Sequence, residues 1–341
     1  MAFSLERKTL LALWFIHWTC AFPALSHTLD EASVAATHEQ WMAMHGRTYA
    51  NDAEKEKRFK IFKENLEYIE NFNDGKSNSY KLGLNHFADL TTEEFIASHT
   101  GLGVPGIPRS SKNAPFRPLN LADVPESLDW REKGAVTPIK NQGVCGSCWA
   151  FSAIAAIEGL VKIKTGKLIS LSEQQLIDCS RQLGTHGCRG GWMDKAFRYI
   201  IENQGIASET NYTYKARDGT CNTGSAAMAA AQITGYGDVP ANSEEQLLLA
   251  VANQPVSVAL SASKDFMFYE SGVFTGKCHT SLNHAVTFVG YGKNEDGMKY
   301  WIVKNSWSGK WGESGYMKLQ RDSGKPHGLC GLAKKASYPT V

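Results

Sequence analysis

In the run Gln142-Gly143-Val144-Cys145-Gly146-Ser147-Cys148-Trp149 two cysteines stand three positions apart, and the second opens a stretch that is apolar nearly all round: Trp149, Ala150, Phe151, Ile154, Ile157, Leu160 and Val161. This pattern predicts a helix buried on all sides, from Ser147 to Lys164, with Gly166 ending it. A thiol at the mouth of such a helix feels the positive end of its dipole and the free amides of the first turn, which both favour the thiolate. Cys148 is therefore the candidate nucleophile, and the glycines around it let a substrate backbone come close. Two other readings of the cysteine pair fail on context. A zinc site would need a second ligand pair at similar spacing, and a redox pair of the thioredoxin kind would need a preceding strand in a βαβ unit; neither pattern is in the sequence.

A nucleophilic cysteine needs a base, and the base needs a partner to orient it. An isolated histidine is more often a core residue than a catalyst, so register has to make the choice among the ten histidines. Ala285–Gly292 and Lys299–Lys304 read as an antiparallel hairpin turned by Lys293–Met298. If Gly292 faces Lys299, paired residue numbers add to about 591, and position 284 faces 305–307 at about 5 Å between Cα atoms. His284 then lies beside Asn305, which can fix its tautomer, and Trp307, which can shield that bond from water.

The elements that would hold these residues fall into blocks. Arg7 and Lys8 precede an apolar stretch to Phe22, and Ala24-Leu25-Ser26 supplies small residues, so residues 1–26 read as a secretory signal. Residues 27–100 are helical in pattern, with Asp52 as a cap and Phe59, Phe62, Leu66, Ile69 and Phe72 at helical spacing. Gly101–Pro118 has the composition of a linker open to proteolysis. From Val124 onward a compact region begins, mainly helical to about residue 235, with Ser172 capping a second helix, and mainly strands from about 236 to 341 (Val256–Leu260, Ala285–Tyr291, Tyr300–Val303, Tyr316–Leu319). The expected class is α+β, two lobes with a cleft between them. Composition agrees with a soluble globular protein of 341 residues, 43% hydrophobic and 21% charged; a net charge of +2 gives no reason to invoke nucleic acid or an anionic membrane. Of eight cysteines, Cys20 leaves with the signal, and the seven that remain enter an oxidising compartment with one thiol unpaired.

Taken together, the segments Gln142–Phe151, Gly187–Met193, Leu282–Gly292 and Lys304–Tyr316 resemble the papain family of cysteine peptidases in content and order. Upstream, Glu54, Arg58, Phe62, Asn65, Ile69 and Asn73, then Gly83, Asn85, Phe87 and Asp89, are similar to two motifs of that family's inhibitory propeptides. The resemblance implies a papain-like fold, a helical lobe and an antiparallel β-barrel-like lobe flanking the cleft, behind a helical propeptide at 27–123 that blocks the cleft until removed. It implies a cysteine endopeptidase with no cofactor or metal, in which Gln142 and the Cys148 amide form an oxyanion hole and Cys148 and His284 rest as a thiolate–imidazolium pair. It implies the disulfides Cys145–Cys188, Cys179–Cys221 and Cys278–Cys330, which spacing alone cannot choose among 15 pairings.

Further expectations follow from the resemblance. Gly190, Gly191 and Trp307 are expected to line the substrate cleft, and Trp192, Met193, Ala259, Leu282 and Ala285 to wall the pocket for the second residue before the cut, favouring bulky apolar side chains. Lys335 falls at the pocket floor, where it either accepts an acidic group or extends its ammonium to solvent. Asn283 stands where many members carry Asp, which removes a charge near the ion pair. Asn211-Tyr212-Thr213 is an N-glycosylation sequon. Expected partners are peptide and protein substrates, the chain's own propeptide and cystatin-type inhibitors, the mature form being a monomer free of membrane and nucleic acid. The expected destination is the secretory pathway, ending in a vacuole, a lysosome or the extracellular space; the C-terminus carries no endoplasmic-reticulum retention signal. The alternative, an inactive relative serving for storage or binding, would normally have lost Cys148, His284 or Gln142, and all three are present.

Overall fold

The computed structural model describes residues 30–75, 78–102 and 121–341. The signal segment and most of the linker lie outside the described residues.

The N-terminal part is built on two helices, α1 (Glu31–His45) and α2 (Asp52–Asn73), followed by β1 (Tyr80–Leu82) and α3 (Thr92–His99). The cap of α2 is Asn51, one residue before the expected Asp52: its side chain accepts from the Glu54 amide at 3.0 Å, leaving Asp52 in the first turn beside the helix dipole. The spaced polar residues of α2 have a shared task. Arg58 bonds Glu54 (2.7 Å), Glu94 (2.6 Å) and the Asp89 carbonyl (2.9 Å). Asn65 donates to the carbonyls of Ala88 and Leu90, and Asn73 brackets Leu82 through both its amide and its carbonyl. Side chains at helical spacing thus suture the irregular segment 82–95 onto one face of the helix, while Phe62, Leu66 and Ile69 form the apolar stripe beside them.

The remainder divides between two cores. In one, α4 (Cys148–Thr165) is surrounded by α5 (Glu173–Cys179), α6 (Met193–Glu202), the short strand pair β3 (Ile206–Ala207) and β4 (Ala229–Ala231), and α7 (Thr223–Ala226). Gly166 ends α4 in the left-handed conformation (φ 75°), and Ser172 caps α5 by accepting from the Gln175 amide at 3.0 Å. The other core lies on a sheet formed by β2 (Leu128–Asp129), β5 (Gly235–Asp238), β6 (Val256–Leu260), β7 (Tyr269–Phe274), β8 (His284–Lys293), β9 (Lys299–Lys304), β10 (Tyr316–Gln320) and β11 (Ala336–Thr340), with α8 (Glu244–Asn253) and α9 (Lys264–Met267) packed on it.

Strand order is β1-β7-β10-β9-β8-β6-β11-β5, with β2 also on β8. The sheet is open, not the barrel-like closure expected. Its edges, β1 and β5, lie at opposite ends of the order, one strand coming from the N-terminal part and the other packed against α6. Strand β2 also crosses from the helical half of the sequence into this sheet.

The hairpin carrying the candidate base is offset by one residue at its turn. Gly292 faces Tyr300, so pairs near the turn add to 592; an irregularity between Phe288 and Gly290 restores 591, with Thr287 facing Lys304. A bulge therefore returns His284 to the level of Trp307.

Candidate active site

Cys148 is the first residue of α4 and the one free thiol among the described residues. It is fully buried, and the amides of Ala285, Trp149 and Gly101 are directed at its sulfur. His284 opens β8, directly before Ala285, and is fully buried. Its Nε2 bonds Asn305 Oδ1 at 2.9 Å and its ring stacks on Trp307 at 4.3 Å. Asn305 Oδ1 also accepts from the Ser306 amide at 2.8 Å, so the oxygen is the acceptor, Nε2 carries the proton, and Nδ1 is left as the basic nitrogen without a hydrogen-bond partner among the described residues.

Gln142 is held from the opposite side. Ser306 donates to its Oε1 at 2.6 Å and its backbone N–H donates to the Ser306 carbonyl, while Nε2 donates to the Cys145 carbonyl at 2.7 Å. Ser306 was not singled out from sequence; its position directly after the orienting Asn305 is the signal that would have found it.

The cleft is occupied by the chain's own residues 99–102. The His99 carbonyl accepts from Gln142 Nε2 (3.1 Å) and Trp307 Nε1 (3.1 Å). Gly101 and Leu102 donate to the Asn283 carbonyl, and Gly191 donates to the Gly101 carbonyl, each at 3.0 Å. Leu102 is buried in one apolar cluster with Cys148, Trp192, Met193, Ala259 and Ala285, with Leu282 packed at its edge. The passage is tight enough to need glycine, since a Cβ on Gly101 would stand 2.0 Å from the Gly146 carbonyl oxygen. Gly190 turns the chain just before Gly191 with φ 118°.

Under this cover burial acts on both partners of the expected ion pair. Burial pushes the Cys148 thiol up to about 12 against the pull of the Ala285, Trp149 and Gly101 amides. Burial takes His284 down to about 4 despite its bond to Asn305. In the precursor, burial thus favours the uncharged form of each group.

Lys335 corrects an expectation. Its ammonium does not reach solvent: the residue is 5% exposed, 2.7 Å from Asp238 and 3.7 Å from Asp194. Its carbonyl accepts from Ala259, a wall of the apolar cluster. The Asn283 side chain faces away from the imidazole, exchanging bonds of 2.7 and 3.0 Å with the backbone of Ala262. Three disulfides close the lobes, Cys145–Cys188, Cys179–Cys221 and Cys278–Cys330. Among the described residues no cluster of His, Cys, Asp and Glu is arranged to hold a metal, and no helix is long and apolar enough to cross a membrane.

A thiol at a helix mouth, an amide-oriented imidazole and a covering helical segment define a thiol hydrolase held closed by part of its own chain. The comparisons agree. Residues 124–340 match the papain family cysteine protease model and residues 38–95 the cathepsin propeptide inhibitor model. A senescence-specific cysteine protease of Arabidopsis thaliana is 53% identical over 330 residues, 94% of this chain and 95% of that one. Fruit bromelain of Ananas comosus is 48% identical over 303 residues, 89% of this chain and 85% of that one. Among solved structures, a recombinant stem bromelain precursor superposes with TM-score 0.84 at 49% identity, covering 90% and 99% of the two chains. The proform of a ragweed pollen cysteine protease superposes with TM-score 0.83 at 40% identity, covering 92% and 96%. This chain belongs to the papain family of cysteine proteases. It is a cysteine endopeptidase made as a zymogen, with its inhibitory propeptide in the cleft.

Proposed function

We propose that Cys148, His284, Asn305 and Gln142 carry out the hydrolysis, on one observation above all: the imidazole is fixed by Asn305 through Nε2 while Nδ1 has no hydrogen-bond partner among the described residues. Once the propeptide leaves, water returns to the cleft, the desolvation that disfavours charge on both groups falls away, and the proton passes from Cys148 to His284. The thiolate adds to the scissile carbonyl carbon. Negative charge on the oxygen is met by Gln142 Nε2, which the His99 carbonyl engages in the precursor, and by the Cys148 amide. His284 gives its proton to the leaving nitrogen as the C–N bond breaks; water then attacks the thioester as His284 takes its proton, and the C–S bond breaks to release the carboxylic acid and return the thiolate–imidazolium pair. Titration of the processed enzyme with an epoxide of the E-64 type, which is bound in a solved bromelain relative, should remove activity at one equivalent per thiol. A Cys148→Ala protein that still cleaves peptides would refute the assignment.

The pocket that holds Leu102 is read as the one for the second residue before the cut. With Lys335 committed to Asp238 and Asp194, leucine is preferred there over glutamate. The mature domain is taken to begin close to Val124, after removal of a signal at 1–26 and a propeptide at 27–123. The route is secretory, ending in a vacuole, a lysosome-like compartment or the extracellular space. The mature enzyme is taken to be a monomer open to cystatin-type inhibitors, and Asn211, which is exposed, to carry a glycan.

A further inference from the structure

Ser147 stands at the N-cap of α4, where a serine ordinarily accepts a hydrogen bond from the first turn, yet its side chain makes no capping bond. The hydroxyl is engaged elsewhere, 2.8 Å from the Tyr214 hydroxyl, 67 residues along the chain. Tyr214 in turn donates to the Gln142 carbonyl at 2.7 Å. A phenol has one proton, so with that proton on Gln142 it accepts from Ser147, and the order is Ser147 hydroxyl to Tyr214 hydroxyl to Gln142 carbonyl.

The two ends of this relay are the two ends of the loop that holds the oxyanion donors. Gln142 carries the side-chain donor, and Ser147 immediately precedes the Cys148 amide. The tyrosine is itself held. Its ring packs edge-on against Phe151 in α4 at 4.9 Å, and its amide donates to Glu209 at 2.8 Å. Two residues on, Ala216 rests against the loop, where a Cβ on Gly143 would stand 3.3 Å from it. Burial raises the phenol's pKa, which keeps it protonated as a donor.

We propose that Tyr214 is a positioning residue for catalysis: by bonding both ends of the 142–147 loop it sets the spacing between Gln142 Nε2 and the Cys148 amide, and so the stabilisation of the transition state. Ser306 fixes Gln142 from the sheet lobe and Tyr214 fixes it from the helical lobe. The proposal rests on the reading of Gln142 as an oxyanion donor.

The test compares Tyr214→Phe, Gln142→Ala and the double variant, each expressed as the full chain and processed. Tyr214→Phe should lower kcat by roughly 3- to 10-fold, the scale of one neutral hydrogen bond, with KM changed less than about twofold. Affinity for a peptide aldehyde, whose hemithioacetal oxygen occupies the oxyanion site, should fall in the same proportion. The pH profile of thiol alkylation by iodoacetamide, which reports the Cys148–His284 pair, should not move. Gln142→Ala should cost about 10²–10³ in kcat, and adding Tyr214→Phe to it should cost little more. A Tyr214→Phe enzyme with full kcat and aldehyde affinity, or one whose loss is fully additive to that of Gln142→Ala, overturns the proposal. If Gln142→Ala itself leaves kcat intact, the oxyanion reading fails, and this proposal with it. Should Tyr214→Phe not fold, Ser147→Ala cuts one link of the relay and must lower kcat by at least about twofold at unchanged alkylation profile; unchanged kcat overturns the proposal equally.

Discussion

His284 makes one strong polar contact in the precursor, its 2.9 Å bond to Asn305, which keeps the proton on Nε2 and leaves Nδ1 as the basic nitrogen. Removing it frees the ring to rotate and leaves a buried nitrogen unsatisfied. Asn305→Ala is expected to lower kcat/KM by about 10- to 150-fold, the range for a hydrogen bond to a group that becomes charged, with Tm changed by only a few degrees. Steady-state hydrolysis of a fluorogenic peptide alongside thermal melting separates the two effects. At Lys335 stability and specificity should part company. The ammonium compensates two buried carboxylates, and burial already raises the pKa of Asp194. Truncation to alanine removes this cation from both, a loss of about 3–5 kcal/mol in urea unfolding of the processed enzyme, while the ratio of leucine to glutamate substrates stays the same. A ratio that moves several-fold toward leucine would mean that the ammonium does serve acidic groups.

Propeptide and enzyme are joined at the level of elements. Strand β1 adds to the edge strand β7, with Tyr80 facing Gly272, and the Tyr68 and Tyr80 hydroxyls both reach Asp265 on α9. Asn85 donates to the Met267 carbonyl on the same short helix at 2.8 Å. Helix α2 supports this surface through Arg58, whose bonds to Glu54, Glu94 and the Asp89 carbonyl tie α2 to α3 and the segment between them. Arg58→Ala is therefore expected to loosen the covering segment as a unit, taking the guanidinium from Glu54 and leaving Glu94 with the Lys57 ammonium at 3.5 Å. Precursor processing at neutral pH should accelerate about tenfold or more, followed on gels from a fixed starting concentration. An unchanged processing rate would show that docking does not depend on this suture. Much of this level could be read along the chain. Helix α4, the caps of α4 and α5, and strands β6, β8, β9 and β10 follow from apolar spacing and terminators within each segment. The one-residue offset near the β8–β9 turn could not, because it is cancelled by a bulge that only cross-strand pairing reveals.

Across the whole molecule, the seam between propeptide and sheet lobe holds a row of histidines. His45 and His86 stand with ring centres 6.3 Å apart, and His99 packs on Phe87 next to His86. Both ring nitrogens of His45, and Nδ1 of His86, have no hydrogen-bond partner among the described residues. Burial lowers all three pKa values, His86 to about 3 and His99 to about 4. The charges acting on the row are Arg47 from the propeptide and Lys310 from the enzyme, with Asp89 as the carboxylate acting on His45. The sign follows from the proton count. Released histidines titrate near 6.5, docked ones lower, so the docked form binds fewer protons; docking is at full strength above about pH 6.5 and weakens as pH falls toward 4. In a Cys148→Ala precursor, which cannot process itself, susceptibility of the propeptide to an added protease should rise steeply from pH 6.5 to 4. His86→Leu should flatten that rise, and a rise identical to the parent's would exclude the row as its source.

What the sequence determined by itself is chemistry carried by neighbours along the chain: a thiol at a helix mouth, a histidine brought level with Asn305 and Trp307 by strand pairing, and a helix whose polar face matched a propeptide motif. What the tertiary structure decided is the state those groups are in. Residues 99–102 occupy the cleft, burial raises the Cys148 pKa and lowers that of His284, Asp194 and Asp238 keep Lys335 from solvent, and Tyr214 reaches the 142–147 loop from 67 residues away. The physical reason is solvation. Propensity and spacing act within an element, whereas the charge on a group depends on which distant atoms replace its water.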